Sequence, residues 1–153
     1  MSALKDQLHT DLVTAMKARD TLRTSTLRMA LAAITNAEVA GKEAKELSDE
    51  DVITVLGSEA KKRREAAEAF AAGDRQELAD KEKAEAEILA TYLPEQLGAD
   101  EIKAIVTAAV ESAGAAGEGM KAMGKVMGIV SPQVKGKADG GAVAAEVKAQ
   151  LGA

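Results

Sequence analysis

The sequence predicts an all-α protein, and three observations carry that expectation. Its 153 residues include one Phe, one Tyr and no Trp, so the core has to be built from Ala, Leu, Val, Ile and Met. Alanine is the strongest helix former, and the abundant Glu, Lys and Arg lose little rotamer freedom in a helix. Apolar residues recur in steps of three and four, the spacing of one helix face, and no strand-like run precedes any glycine cluster. The length suits one domain or two small ones about a hinge. The expected organisation is a helical body over residues 1–93 containing a long antiparallel hairpin, a hinge at 94–98 and a three-helix tail over 99–153.

The first helix starts after Ser2 as N-cap, with Leu4, Leu8, Leu12 and Met16 in one stripe and His9 at the surface beside it. The second starts at Asp20 and carries Leu22, Leu27, Ala30, Leu31 and Ile34 until Gly41 stops it. After a polar connector, Ser48 and Asp51 form an acidic version of the capping box. The third helix traces Ile53, Leu56, Ala60, Arg63, Ala67 and Phe70. Gly73 and Asp74 turn the chain, and the fourth helix traces Leu78, Glu82, Glu85, Leu89 and Tyr92, reaching Leu93. An antiparallel hairpin about that turn sets Leu56 against Leu89, Ile53 against Tyr92 and Arg63 against Glu82, pairing the one cation and one of the two acids that interrupt the stripes.

Pro94, Gly98 and Asp100 mark the boundary to the tail. A helix through Ile102, Ile105, Val106, Ala109 and Val110 stops in GAAGEG. A methionine helix from Glu118 to about Val130 follows, with Met120, Met123 and Met127 as core and Gly124 and Gly128 admitting a second helix; Pro132 ends it. Asp139 caps the last helix, whose buried face is Val143, Val147 and Leu151.

The net charge of −5 is unevenly spread. Residues 38–101 hold 18 acids against 9 bases, whereas residues 120–153 hold 5 bases against 2 acids. Without Cys there is neither a disulfide framework nor a thiolate metal site, and no apolar run is long enough to span a bilayer, so a cytoplasmic location is expected. No phosphate-binding glycine loop follows a strand and no nucleophile, base and acid share a motif; catalytic residues, metal ligands and cofactors are not expected. Glu82 and Glu85 could begin a carboxylate metal site, but Arg63 competes for them. Lys121 and Lys125 lie four apart on one helix, Lys135 and Lys137 follow on a loop, and Lys61, Lys62 and Arg64 form the densest basic run with Arg63. These are candidate RNA contacts, the second group facing water. The lack of aromatics removes a stacking platform for single strands and leaves recognition of double-helical, folded RNA by shape and phosphate; DNA is not expected.

The opening helix, LRMALAAI, KKRREAAEAF, GDRQELADKEKAEAEIL, YLPEQL, MGKVMG and GKADG occur in the order seen in the GatB/YqeY family, and the whole chain resembles its stand-alone YqeY-like members. The resemblance extends to the C-terminal region of GatB, a subunit of the glutamine-dependent tRNA amidotransferases. It implies a two-part helical fold and the family label of carbon–nitrogen ligase with glutamine as amide donor. It supplies no catalytic residue, since no segment here resembles the catalytic cradle. By position, Lys121, Lys125 and the GKADG loop match the tail motif that the resemblance connects with tRNA. The leading reading is a non-catalytic tRNA-binding or amidotransferase-associated module; the alternative is a protein-interaction module with no RNA partner.

Overall fold

The computed structural model describes residues 2–152, within which seven α-helices and one 3-10 turn form the regular structure and no strand occurs. The chain is all-α and divides into two compact units, the first ending at Pro94 and the second beginning at Glu95.

The first unit contains α1 (Ala3–Lys17), α2 (Thr21–Val39), α3 (Asp49–Ala72) and α4 (Gln76–Ala90). Side-chain caps set three of the starts by satisfying N–H groups that have no partner inside the helix. Ser2 Oγ accepts from the Lys5 N–H at 3.1 Å and the Asp20 carboxylate from the Arg23 N–H at 3.0 Å. At α3 the bonds are reciprocal: the Asp51 N–H donates to Ser48 Oγ at 3.2 Å, and the Ser48 N–H donates to the Asp51 carboxylate at 3.1 Å.

Leu8, Leu27, Ile34, Val52, Leu56 and Leu89 are fully buried in one core. Two stripes differ from the sequence expectation by one position. On α1 the buried face passes through Ala15, and Met16 is 49% exposed. A step of seven from Leu8 stays nearly in phase with two helical turns, whereas a step of eight rotates the side chain off the face. On α3, Val52 is buried in place of Ile53, giving Val52, Leu56 and Ala60 in steps of four. His9 is exposed.

Helices α3 and α4 turn at Gly73 and Asp74, and Asp74 takes the left-handed conformation with φ 59°. Aspartate is one of the few residues other than glycine that visit this region, since its short polar side chain can bond locally. In the seam between the two helices, the Arg63 guanidinium lies 3.2 Å from Glu59, 3.7 Å from Glu82 and 3.8 Å from Glu85. The first is a hydrogen bond; the other two are ion pairs too long to be one, and Arg63 Nε, Glu82 Oε2 and Glu85 Oε2 are buried without a hydrogen-bond partner. Glu85 is 3% exposed. Burial, with Glu82 alongside, raises its pKa, and Arg63 only partly opposes this.

Helix α4 ends at Ala90, before the expected Leu93, and the next residues tighten into i to i+3 bonds that lead to Pro94. Tyr92 sits in this turn. Its ring packs on the core and its hydroxyl donates to Asp11 of α1, joining the two ends of the unit. Burial and the Asp11 carboxylate push the Tyr92 pKa up to about 12.

The second unit contains α5 (Ala99–Ser112), the 3-10 turn Gly119–Ala122, α6 (Met123–Val134) and α7 (Gly140–Gly152). Its core is Ile102, Val106, Val110, Val126, Val130, Val134, Val143, Val147 and Leu151 with small alanines between. The methionine helix expected from the sequence is thus two elements, with the α-helix starting at Met123. The buried line across the two elements is Ala122, Val126, Val130 and Val134; Met123 and Met127 pack at the core's edge, and Met120 is 45% exposed. Nor does Pro132 end the helix. The chain stays helical through Val134 because Val130 and Val134 are both buried, which outweighs the hydrogen bond that a proline nitrogen cannot make. Gly124 and Gly128 admit no helix of this unit: a side chain at either would meet nothing within 4 Å.

Three outcomes test the first unit. Arg63→Ala is expected to lower urea-derived stability at pH 7 by about 1–3 kcal/mol, since Glu82 and Glu85 then lose the guanidinium beside them while Glu59 keeps only Lys62; an unchanged midpoint would contradict the seam. Because the folded pKa of Glu85 is raised, its contribution is complete at acid pH and is lost as pH rises through the folded value. Glu85→Gln, which imitates the protonated side chain, should match wild type at acid pH and exceed it at pH 7. For Tyr92, stability is complete below the ordinary phenol pKa of about 10 and declines as pH rises toward the folded value of about 12. Alkaline titration of Tyr92→Phe should lack that step.

Candidate nucleic-acid interface

All four tail lysines, Lys121, Lys125, Lys135 and Lys137, are exposed. Lys121 lies in the 3-10 turn and Lys125 in the first turn of α6, so the two flank a junction where one continuous helix was expected. Lys135 and Lys137 belong to the loop after α6. Lys135 leaves the helix with extended ψ of 122°, and Gly136 follows at φ 75°, a left-handed conformation that glycine adopts without a side-chain clash.

Four hydrogen bonds fix this loop. The Lys137 and Ala138 N–H groups return to the Val134 carbonyl at 2.8 and 3.1 Å, closing the end of α6. The Leu97 N–H donates to the Lys137 carbonyl at 2.8 Å, and the Gln96 side-chain amide donates to the Gly136 carbonyl at 3.0 Å. Gln96 and Leu97, expected from the sequence to be part of a hinge, therefore brace the loop from within the second unit. The Lys137 backbone is held while its side chain stays in water. Asp139 precedes α7, and its carbonyl accepts from the Val143 N–H at 3.1 Å.

The basic run of α3 is differently placed. Lys62 pairs with Glu59 at 3.1 Å and Lys61 with Glu65 at 3.9 Å, while Arg64 is exposed. Two of the three cations expected to face water unengaged therefore have carboxylates of their own helix beside them, which offsets their field. Arg63 points into the seam with Glu82. Among the described residues no group of three or more His, Asp or Glu side chains is arranged to hold a metal ion; Glu82 and Glu85 both lie beside Arg63. No described helix is long and apolar enough to cross a membrane.

Sequence reasoning missed a groove of about 590 Å³ between α6 and the start of α7, lined by Met127, Gly128, Ser131, Pro132, Val134, Lys135, Ala138, Gly140 and Val143. Its wall is largely apolar and carries one cation and no acid. The signal was present in the sequence: a glycine and a proline four residues apart on α6 leave one flank of the helix without bulk.

The arrangement offers ammonium groups on a braced scaffold, suited to anionic oxygen atoms and lacking any paired acid and base for covalent chemistry. Comparison with known proteins gives two findings. An uncharacterized protein of Schizosaccharomyces pombe is 39% identical over 85 residues, 55% of this chain and 67% of that protein. Residues 5–151 match the family described as Yqey-like protein. The match covers nearly the whole chain, both units included, and on that ground the chain belongs to the YqeY-like family.

Proposed function

We propose that the second unit binds the phosphates of folded RNA, tRNA being the leading candidate, and that the chain acts as a non-catalytic tRNA-binding or amidotransferase-associated protein. The observation that carries this reading is the exposure of Lys121, Lys125, Lys135 and Lys137 on a segment with 5 bases and 2 acids, in a chain that is acidic as a whole. Phosphate contact draws its affinity from local cation density and the release of condensed counterions, so net charge matters less than this grouping. The braced loop adds to it, because Lys135 and Lys137 need no backbone ordering on binding. The resemblance of the chain to the C-terminal region of GatB makes tRNA the RNA to try first.

Filter binding of total tRNA from low to physiological salt tests the reading. Wild type should bind at low salt and weaken as salt rises. Replacing all four lysines with glutamine should weaken binding and flatten the plot of log K against log salt by up to roughly 0.9 for each phosphate that is no longer neutralised. Replacing Lys61, Lys62 and Arg64 should do less, since Lys61 and Lys62 are paired within α3. Absence of binding at low salt, or a fourfold variant with unaltered slope and affinity, would refute the proposal and favour a protein partner.

A further inference from the structure

We infer that the groove beside α6 seats one unstacked nucleobase of the bound RNA, so that the second unit prefers a bulged, looped or frayed nucleotide to continuous duplex. This rests on the RNA reading above and adds the part of the ligand that the lysines do not select.

The groove's size, about 590 Å³, lies within the range of roughly 300–1,000 Å³ common for small-molecule sites. Its walls suit a flat aromatic ring better than a phosphate or a ribose. Met127 is half-buried, held against the core, and presents a thioether, which makes favourable contacts with aromatic rings. Pro132 is exposed one turn further on, and Gly128 opens the space beside both, since a side chain there would meet nothing within 4 Å. A chain without Trp and with its only Tyr and Phe in the first unit has no ring to stack on in this unit. Methionine and proline are the apolar surfaces it offers instead.

Charge selects among apolar occupants. Lys135 is the one charged side chain in the lining and belongs to the braced loop, so an occupant with an anionic group beside its flat apolar body satisfies both features. A nucleotide has that chemistry. In continuous duplex the bases are stacked and only backbone reaches such a groove, whereas a bulge or loop can splay one base outward.

The experiment uses the full chain and two RNA hairpins that differ by a single unpaired adenosine, compared by fluorescence anisotropy at low salt. The bulged hairpin should bind roughly fivefold tighter, as expected for one base against a thioether. Gly128→Leu fills the groove from its open side with a better helix former, and should bring the bulged RNA down to the affinity of the paired one. Met127→Ser, which leaves the glycine in place, should reduce the preference independently. With 2-aminopurine as the unpaired base, wild type should alter its emission and Gly128→Leu should not. Equal affinities with a normal salt dependence would overturn the base seat and leave phosphate binding standing. So would a preference that survives Gly128→Leu. Failure to bind either hairpin at low salt would overturn both readings.

Discussion

A chain with one Phe and one Tyr has to fill its interior with small aliphatic side chains, and that constraint shapes both units. Burying a methylene contributes only about 0.8 kcal/mol, so small residues stabilise a helix interface through many repeated contacts. The stretch of the α3–α4 hairpin between Ala60 and Ala86 shows this. Ala60, Ala67, Ala79 and Ala86 are buried there, and none is large enough to fill a wide gap. The stem of Arg63 and the side chains of Glu59, Glu82 and Glu85 occupy the remaining space, making the seam an ionic one where a larger core would have used leucine or phenylalanine. Burial and the neighbouring Glu82 raise the pKa of Glu85, so the excess carboxylate costs least at acid pH and most once Glu85 ionises.

The same constraint produces an incomplete surface in the second unit. Valines at 126, 130 and 134 bury one face of α6 against α5 and α7, and the opposite flank carries glycine, serine and proline. With nothing bulky to cover it, the groove stays open, and the loop that closes α6 brings Lys135 to its edge. The cationic loop is braced by Gln96 and Leu97, so the first residues of the second unit also fix the proposed binding surface.

Much of this was legible in the sequence where one local rule decided the outcome. Ser2, Asp20 and Ser48 cap helices because hydroxyl and carboxylate groups at those positions can reach the free N–H groups of the first turn. The approach of Arg63 to Glu82 follows from helical phase on both sides of a short turn. Other features depend on competition between rules. Pro132 breaks helices by local chemistry, yet Val130 and Val134 hold α6 together through burial that no local signal reports. The methionines look like core by spacing, but Val126 and Val130 take that face once the 3-10 turn shifts the phase. The groove was legible only in part: Gly128 and Pro132 mark a flank of α6 without bulk, but where α7 leaves that flank uncovered is tertiary information. The lysines were readable as residues, while the brace on their loop comes from a hydrogen bond between groups 40 positions apart in sequence.

The central claim, that the second unit and not the acidic first unit meets RNA, is tested most directly by backbone amide spectra of the full isotope-labelled chain titrated with total tRNA at low salt. Shift changes or broadening concentrated at Lys121, Lys125 and the Lys135–Lys137 loop, with α3 and α4 unperturbed and reversal on adding salt, are the predicted result. Changes centred on the α3 basic run, or spectra that do not respond at any salt concentration, would contradict it.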